Sequence, residues 1–141
     1  MESEAPTNIY GDHKDKYDEL VKEGPFKEFR NHQVFLMAVS LGYEKGEKSE
    51  SKDSDAITRT QYLGDENSDM WWLVKSVAID DTGDITVLRD KKKMINIAIE
   101  YANEGIKVLD KIVNGDDSFG SLDKNLESKM RERLEEVSYI P

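Results

Sequence analysis

The sequence predicts a mainly α fold, a compact helical domain of four to five helices around a long central helix, with room for one short two-stranded β element. Two observations predict it. Apolar residues recur at three- and four-residue spacing through most of the chain, as they do on one face of an α-helix. Clusters of Gly, Pro, Asp and Asn separate these segments, and only two short stretches, 56–63 and 85–88, have an extended pattern.

The composition limits the class of protein. The chain has 141 residues, enough for one domain with a sizeable core, but only 37% of them are apolar. Its net charge of -10 argues against broad attraction to phosphate backbones or anionic membranes. The absence of cysteine excludes disulfides and thiolate metal sites. Because the sequence has neither a membrane-length apolar run nor the core of a secretion signal, we expect a cytoplasmic protein.

The N-terminal residues predict a tail followed by a helical domain. Residues 1–13 are polar and include Pro6 and Gly11, which favours a flexible polar tail. The remainder, residues 14–141, is expected to fold as a single helical domain. Its first helix is predicted over residues 15–22, where a Gly-Pro pair ends it.

The most apolar segment covers residues 29–46, and its run from Val34 to Leu41 leaves little polar face, which is typical of a buried helix. Asn31 is the predicted N-cap and Gly42 the predicted C-cap. Residues 44–55, rich in Lys, Glu, Ser and Asp, then predict a polar loop in solvent.

The middle of the chain predicts a short strand or extended piece over 56–63, then another helix. Ser68 or Asp69 can cap that helix, which is expected to end before residues 80–84, a turn by composition. Residues 85–88 are expected to be extended.

A long helix is predicted from its cap, Asp90, to Val113. Its apolar residues form two neighbouring stripes: Met94, Ala98, Tyr101, Gly105, Val108 and Ile112; and Ile95, Ile99, Ala102, Ile106, Leu109 and Val113. Gly105 costs roughly 1 kcal/mol relative to Ala inside a helix, so its place in the first stripe predicts close approach of another segment. A polar linker and a last amphipathic helix over 122–137 complete the prediction.

Catalytic signatures are absent from the sequence. His13 and His32 are isolated, and no phosphate-binding loop or nucleophile motif occurs. The acidic clusters serve equally well as turns and caps: Asp53 and Asp55; Asp80, Asp81 and Asp84; Asp116 and Asp117. We therefore predict no catalytic residue, no cofactor and no metal ligand, and expect a protein that is not an enzyme.

Four residues are candidates for a protein interface. Trp71 and Trp72 point about 100° apart on a helix, so one can enter the core while the other faces a groove or a partner. Asn103 and Glu104 lie outside both stripes of the long helix, which leaves them either as ordinary solvent-facing residues or as part of a surface that a partner recognises.

Basic residues supply candidate contacts to DNA or to an acidic partner. They flank the first buried helix and begin the long one: Lys27, Arg30, Lys45 and Lys48; Lys91, Lys92 and Lys93. Cations at a helix N-terminus oppose its dipole, which hints at an anionic ligand there. A solvated charged run explains the same lysines.

Three blocks resemble a known family: FKEFRNHQVFLMAVSLGYEKGEK, MWWLVKSVAID and IAIEYANEGIKVLDKIV. The resembling positions are Phe26, Arg30, Val34, Phe35, Ala38, Leu41 and Gly42 in the first block, and Tyr101, Ala102, Asn103, Gly105 and Leu109 in the last. They are similar to the small accessory proteins associated with DNA phosphorothioation, the Dnd system-associated proteins.

The resemblance implies a non-enzymatic accessory role in a prokaryotic DNA modification, restriction and antiviral defence system. It implies contact with other proteins of that system, with DNA, or with both, and it brings no active site. Two alternatives stay open: a DNA-binding regulatory module using the basic residues, and a small metal-dependent nuclease using the clustered aspartates. A homodimer would also cover apolar surface in a helical domain that has few apolar residues and two adjacent tryptophans.

Overall fold

The computed structural model describes residues 4–22, 24 and 26–114. In chain order the elements are β1 (Asn8–Gly11), α1 (Lys14–Lys22), α2 (Asn31–Lys45), β2 (Asp55–Arg59), a 3₁₀ helix (Thr60–Leu63), α3 (Asp69–Thr82), a second 3₁₀ helix (Ile85–Arg89) and α4 (Lys91–Asn114). The predicted mainly α fold around a long helix, with one two-stranded antiparallel sheet, is confirmed. The predicted helix over 122–137 and its linker lie outside the described residues.

Helix α4 is the central packing element. Its cap is the predicted one, because the Asp90 carboxylate accepts a hydrogen bond from the Lys93 backbone N–H at 3.0 Å. Most residues of the two predicted stripes are buried, while Val108 and Ile112 near the C-terminal end are half-buried. A fully buried large apolar side chain stabilises a fold by about 1.5–3 kcal/mol, so this arc holds much of the core together.

Helices α2 and α4 cross with their backbones in contact at two glycines. A Cβ atom added at Gly105 would overlap the carbonyl oxygen of Ala38, and one added at Gly42 would overlap that of Tyr101. The close approach predicted from Gly105 is therefore confirmed. The prediction that Gly42 ends the helix is wrong: α2 continues past it and is capped by Gly46, whose φ is 68°.

The start of α2 also differs from the prediction. The N-cap is Arg30 rather than Asn31, and the Arg30 backbone N–H donates to the side-chain oxygen of Gln33 at 2.8 Å. The Asn31 amide instead donates to the carbonyl oxygen of Ile57 at 3.1 Å. Asn31 therefore ties α2 to strand β2 instead of capping its own helix.

The predicted N-terminal tail is wrong over residues 8–11, which form strand β1. This strand pairs antiparallel with β2, from Asn8 opposite Arg59 to Gly11 opposite Asp55, and Ile9 is fully buried. The pairing joins residues more than forty positions apart. The local composition does not reveal such a partner.

Helix α3 begins where predicted and ends later than predicted. Ser68 is the N-cap, because its hydroxyl oxygen accepts from the Trp71 backbone N–H at 3.2 Å. The helix continues through the first part of the predicted turn to Thr82, and Gly83 caps it. Residues 85–89 then form a 3₁₀ helix rather than an extended piece. None of the helices in the described part of the chain is both long and apolar enough to cross a bilayer.

Candidate functional site

A groove of about 300 Å³ lies between α2 and α3. It is lined by six residues: Ser40, Tyr43 and Glu44 of α2, and Leu73, Ser76 and Val77 of α3. Val77 belongs to the core and Leu73 packs against it. The groove therefore reaches from solvent to the edge of the core. Its walls therefore combine aliphatic, aromatic and hydroxyl groups with one carboxylate.

One exposed aromatic side chain lines the groove, and another lies on the helix that forms its α3 wall. Tyr43 is 37% exposed, and Trp72, adjacent in sequence to the groove residue Leu73, is 45% exposed. Its neighbour Trp71 is only 4% exposed and packs in the core. The two tryptophan side chains therefore point in different directions, as the spacing of adjacent residues on a helix predicted. Burial leaves Trp71 a structural role, and an interface role for Trp72 stays a prediction.

The Trp72 ring is held at the surface by a lysine. Lys75 Nζ lies 4.6 Å from the ring centroid, and the same ammonium donates to the carbonyl oxygen of Glu66 at 2.6 Å. A cation over an indole face contributes about 0.5–1 kcal/mol at an exposed site. This contact favours one position of the Trp72 ring, which would lower the entropy cost of using it in an interface.

A polar clasp closes the end of the groove at the C-terminal ends of α2 and α3. The Tyr43 hydroxyl donates to Asp80 at 2.6 Å, and the Tyr101 hydroxyl donates to Asp81 at 2.7 Å. Lys48 Nζ donates to the same Asp81 oxygen at 2.8 Å. The two tyrosine rings meet edge to face, with centroids 5.8 Å apart. We call these five residues the clasp.

The charges of the clasp stabilise one another. Burial would raise the pKa of Asp81, but the hydrogen bonds from Lys48 and Tyr101 outweigh it and lower that pKa. Burial and the Asp81 carboxylate together raise the pKa of Tyr101 to about 12. The bond to Asp81 also raises the pKa of Lys48. At neutral pH the Asp81 carboxylate is therefore ionised, and the neutral Tyr101 phenol and the Lys48 ammonium both bind it.

The predicted basic residues do not converge on one patch. Lys27 and Arg30 are exposed before α2, whereas Lys45 and Lys48 lie at or beyond its far end. A 15-residue helix separates the two pairs by about 22 Å. The Lys48 ammonium is bound in the clasp. DNA contact by these residues stays a prediction.

The lysines at the start of α4 also have acidic neighbours. Lys91 forms an ion pair with Glu66. Lys92 and Lys93 are exposed, and Lys93 lies near enough to Asp81 and Asp84 to help lower the pKa of both carboxylates. This end of the molecule is therefore a mixture of both signs of charge.

Asn103 is a buried structural residue, although its position outside the two apolar stripes did not indicate burial. It is 2% exposed, so it does not face solvent or present itself to a partner. Its oxygen accepts from the Asp12 backbone N–H at 3.0 Å, and its amide donates to the Ser49 carbonyl at 2.9 Å and to the Ser51 hydroxyl at 3.0 Å. Asn103 thus fastens the end of β1 and the polar loop to α4.

A second cleft, of about 480 Å³, lies beside Asn103. The buried Asp12 carboxylate accepts there from the Lys52 and Asp53 backbone N–H groups, at 3.0 Å each. Glu104, at the rim, accepts from Ser49 at 2.7 Å and from Lys107 at 2.9 Å, and these bonds lower its pKa. Both carboxylates are thus engaged within the fold.

Three of the aspartates that a metal-dependent nuclease could use already accept hydrogen bonds within the fold. Asp80 and Asp81 belong to the clasp, and Asp84 accepts from the backbone and side chain of Thr86 at 2.9 and 2.8 Å. Within the described ranges, no three His, Cys, Asp or Glu side chains come together in a way that could hold a metal ion. Asp116 and Asp117 lie outside those ranges.

Sequence reasoning missed the groove itself. The two walls of the groove lie about thirty residues apart in the sequence. Periodicity predicts each helix, but it does not specify which helices pack side by side. The one signal in the sequence was Tyr43, an aromatic residue where α2 becomes polar.

Comparison with known proteins identifies one family. A family model described as DNA sulphur modification system-associated protein 4 matches residues 9–137. The match includes the three blocks on which the resemblance rests and most of the chain beyond them. No curated protein and no solved structure matches.

Proposed function

Because the chain belongs to the family of DNA sulphur modification system-associated protein 4, we propose that it is a non-enzymatic accessory component of a prokaryotic phosphorothioation-dependent modification and restriction system. In this proposal it acts in the cytoplasm through contacts with other proteins of the system. Membership of the family gives the association with a sulphur modification system. The mode of action is the part we propose.

The observation that carries a protein-binding role is the exposed aromatic surface around the groove. A chain with 37% apolar residues can cover most of its large side chains, yet Tyr43 stays exposed in a groove that reaches the core, and Trp72 stays exposed on α3, the helix that forms the other wall. Contiguous exposed apolar surface marks interaction sites, and Trp and Tyr are enriched among residues that dominate binding energy.

Direct DNA binding has less support. The net charge is -10, and the candidate basic residues are spread over both ends of α2 or have acidic neighbours. Binding to a phosphate backbone requires several cations along one surface. A regulatory DNA-binding role would therefore depend on local contacts at Lys27 and Arg30.

Affinity capture of the full chain from its native host tests the proposal. We expect the captured proteins to include components of the sulphur modification or restriction machinery, and deletion of the gene to alter protection or restriction of DNA. Capture of none of these components, together with unchanged protection and restriction, would contradict it. A mobility shift of duplex DNA that weakens steeply with salt would favour the DNA-binding role instead.

A further inference from the structure

We propose that a surface at the start of α2 binds single-stranded nucleic acid, with a base stacked on Tyr62 and phosphate groups held by Arg30 and Arg59. Four residues form this surface, which we call the stacking patch: Arg30, His32, Arg59 and Tyr62. The inference goes beyond the proposed protein contacts and does not depend on them. It assigns a ligand to exposed groups that neither the groove nor the clasp uses.

The aromatic part of the stacking patch is a stacked pair of rings. His32, in the first turn of α2, and Tyr62, in the first 3₁₀ helix, have ring centroids 5.6 Å apart and ring planes inclined by 28°. Tyr62 is 48% exposed, so much of its ring is open to solvent. His32 is half-buried and supports one side of that ring. An exposed ring held by a neighbouring ring is a platform on which a nucleobase can stack.

One arginine of the stacking patch lies beside His32. Arg30 is exposed and directly precedes α2. Burial lowers the pKa of His32, and the positive charge of Arg30 lowers it further, whereas a close carboxylate would oppose this shift. At neutral pH the patch therefore combines an uncharged imidazole ring with a nearby guanidinium group. Lys27 and Glu28, both exposed before Arg30, have opposite charges and together add no net charge.

The second arginine reaches the stacking patch through the sheet. Arg59 ends β2 and is the N-cap of the 3₁₀ helix, one turn before Tyr62. The Asn31 amide donates to the Ile57 carbonyl oxygen at 3.1 Å, which holds this part of β2 against the start of α2. Arg30 and Arg59 therefore lie at the same end of the molecule. No ion pair within the described residues involves either of them.

Arginines beside an exposed aromatic pair suit a single strand better than a duplex. Unpaired bases stack on aromatic rings while cations hold the phosphate groups, so part of the affinity does not depend on charge. The bases of a duplex already stack on one another, and two arginines alone would hold its backbone weakly on a molecule of net charge -10. Stacking is therefore what makes a small cationic surface sufficient here.

An acidic peptide segment fits the stacking patch less well. Its carboxylates could pair with the two arginines, and residues 115–141 of the same chain, with seven acidic and four basic residues, have this character. Such a segment would leave the exposed Tyr62 ring without a stacking partner. The experiment separates the two classes of ligand.

Fluorescence anisotropy with the full chain tests the stacking patch. The probes are labelled oligothymidylate and oligouridylate of about 15 nucleotides, and the competitors are a DNA duplex and an oligoglutamate peptide of the same length. Tyr62→Ala removes the exposed ring, and Tyr62→Phe keeps it. Arg30→Gln and Arg59→Gln each remove one charge, and Arg89→Gln removes an exposed arginine just before α4 as the matched control. Circular dichroism verifies that each variant is folded.

We expect the wild type to bind at least one of the two single strands at low salt. The logarithm of its affinity should fall with the logarithm of salt concentration with a slope of about -1.4, from two cations at about -0.7 each. Tyr62→Ala should weaken binding about tenfold, as the loss of one stacked base predicts, and Tyr62→Phe should change it by less than about twofold. Arg30→Gln and Arg59→Gln should each halve the slope, whereas Arg89→Gln should leave it unchanged.

Three results would overturn the proposal: no binding of either single strand by the folded wild type, equal affinities of Tyr62→Ala and Tyr62→Phe, or displacement of the probe by the duplex or the oligoglutamate as readily as by an unlabelled single strand. A preference for thymidylate or for uridylate would support it and identify the sugar that the patch accepts. The capture of proteins of the sulphur modification system is a separate measurement, so the proposed function would stand if the stacking patch failed these tests.

Discussion

The two sides of α2 are packed in opposite ways. Against α4 the helix approaches so closely that Gly42 and Gly105 have no space for a Cβ atom. Against α3 it leaves a groove of about 300 Å³ and an exposed tyrosine, Tyr43. One helix therefore has one face that is fully used by the fold and another face that leaves a groove open to solvent.

The residues on each face explain the difference. The face towards α4 contains Ala38 and Gly42, whose small size lets two backbones meet and maximises dispersion contacts. The face towards α3 contains Ser40, Tyr43 and Glu44, which are too polar or too large to pack in the same way. The clasp joins the two helices at one end of this face, by hydrogen bonds instead of close apolar packing. Four predictions test the contrast, from the largest expected effect to the smallest.

The adjacent tryptophans should differ most. Trp71→Ala removes a core side chain and should lower the free energy of unfolding by about 3–5 kcal/mol. Trp72→Ala removes an exposed side chain and its cation contact, so the loss should be about 1 kcal/mol or less. Urea unfolding followed by circular dichroism measures both. Similar losses for the two variants would mean that the α3 surface contributes to folding stability no less than the core does.

The glycine crossing should tolerate no side chain. Gly105→Ala forces α2 and α4 apart and should cost about 3 kcal/mol, at the upper end of typical overpacking effects. The control is Gly83→Ala, at a φ of 67° with open space around it, where backbone strain alone should cost about 1 kcal/mol. Thermal unfolding of both variants gives the comparison. A Gly105→Ala variant equal in stability to the control would contradict backbone contact at the crossing.

Asn103 lies on α4, the helix that packs closely against α2, and its replacement should have a local effect. Asn103→Ala leaves the Asp12 N–H and the Ser49 carbonyl without their partner, which should cost about 2 kcal/mol. Hydrogen exchange should accelerate at the Lys52 and Asp53 amides, which the Asp12 carboxylate holds. Unchanged exchange at those amides would show that the polar loop is fixed by other contacts.

The clasp should make part of the stability depend on pH. The pKa of Asp81 is lowered in the fold, so its ionised form stabilises the protein above the ordinary value of about 3.9. That contribution is lost as the pH falls through the lowered value. Asp81→Asn should therefore reduce the stability difference between about pH 6 and about pH 3 by roughly 0.5–1 kcal/mol, the size typical of a partly exposed ion pair.

A control variant is needed to separate the effect of Asp81 from that of other carboxylates, because some of these also have lowered pKa values. Asp53→Asn, in the polar loop, changes the same chemical group away from the clasp. It should leave the pH dependence closer to that of the wild type. Equal effects of the two substitutions would mean that the clasp does not stabilise the α2–α3 side.

Local patterns predicted the helical fold well. Apolar spacing located α2, α3 and α4, and the helix-breaking cost of Gly105 pointed to the crossing. Gly42 shows the limit of the same reasoning, because a glycine near a polar segment resembles a cap whether it ends a helix or admits a second backbone. The second glycine of the crossing was therefore assigned to the wrong role.

Long-range pairing accounts for what the sequence concealed. Strand β1 resembles a tail because its partner β2 lies far along the chain. Asn103 resembles a surface residue because a buried amide is recognisable only when its hydrogen-bond partners are known, and these lie 52 to 91 residues away. The groove depends in the same way on which helices become neighbours.

The Asn103 attachment also has a consequence for synthesis on the ribosome. Asp12 and Asn103 are 91 residues apart, so β1 leaves the ribosome long before the side chain that fixes its end. At about 5–20 residues per second, the interval is about 5–18 s. During that time the buried face of Ile9 lacks α4 to cover it. The first strand of the protein is therefore expected to be among the last elements to reach its final place.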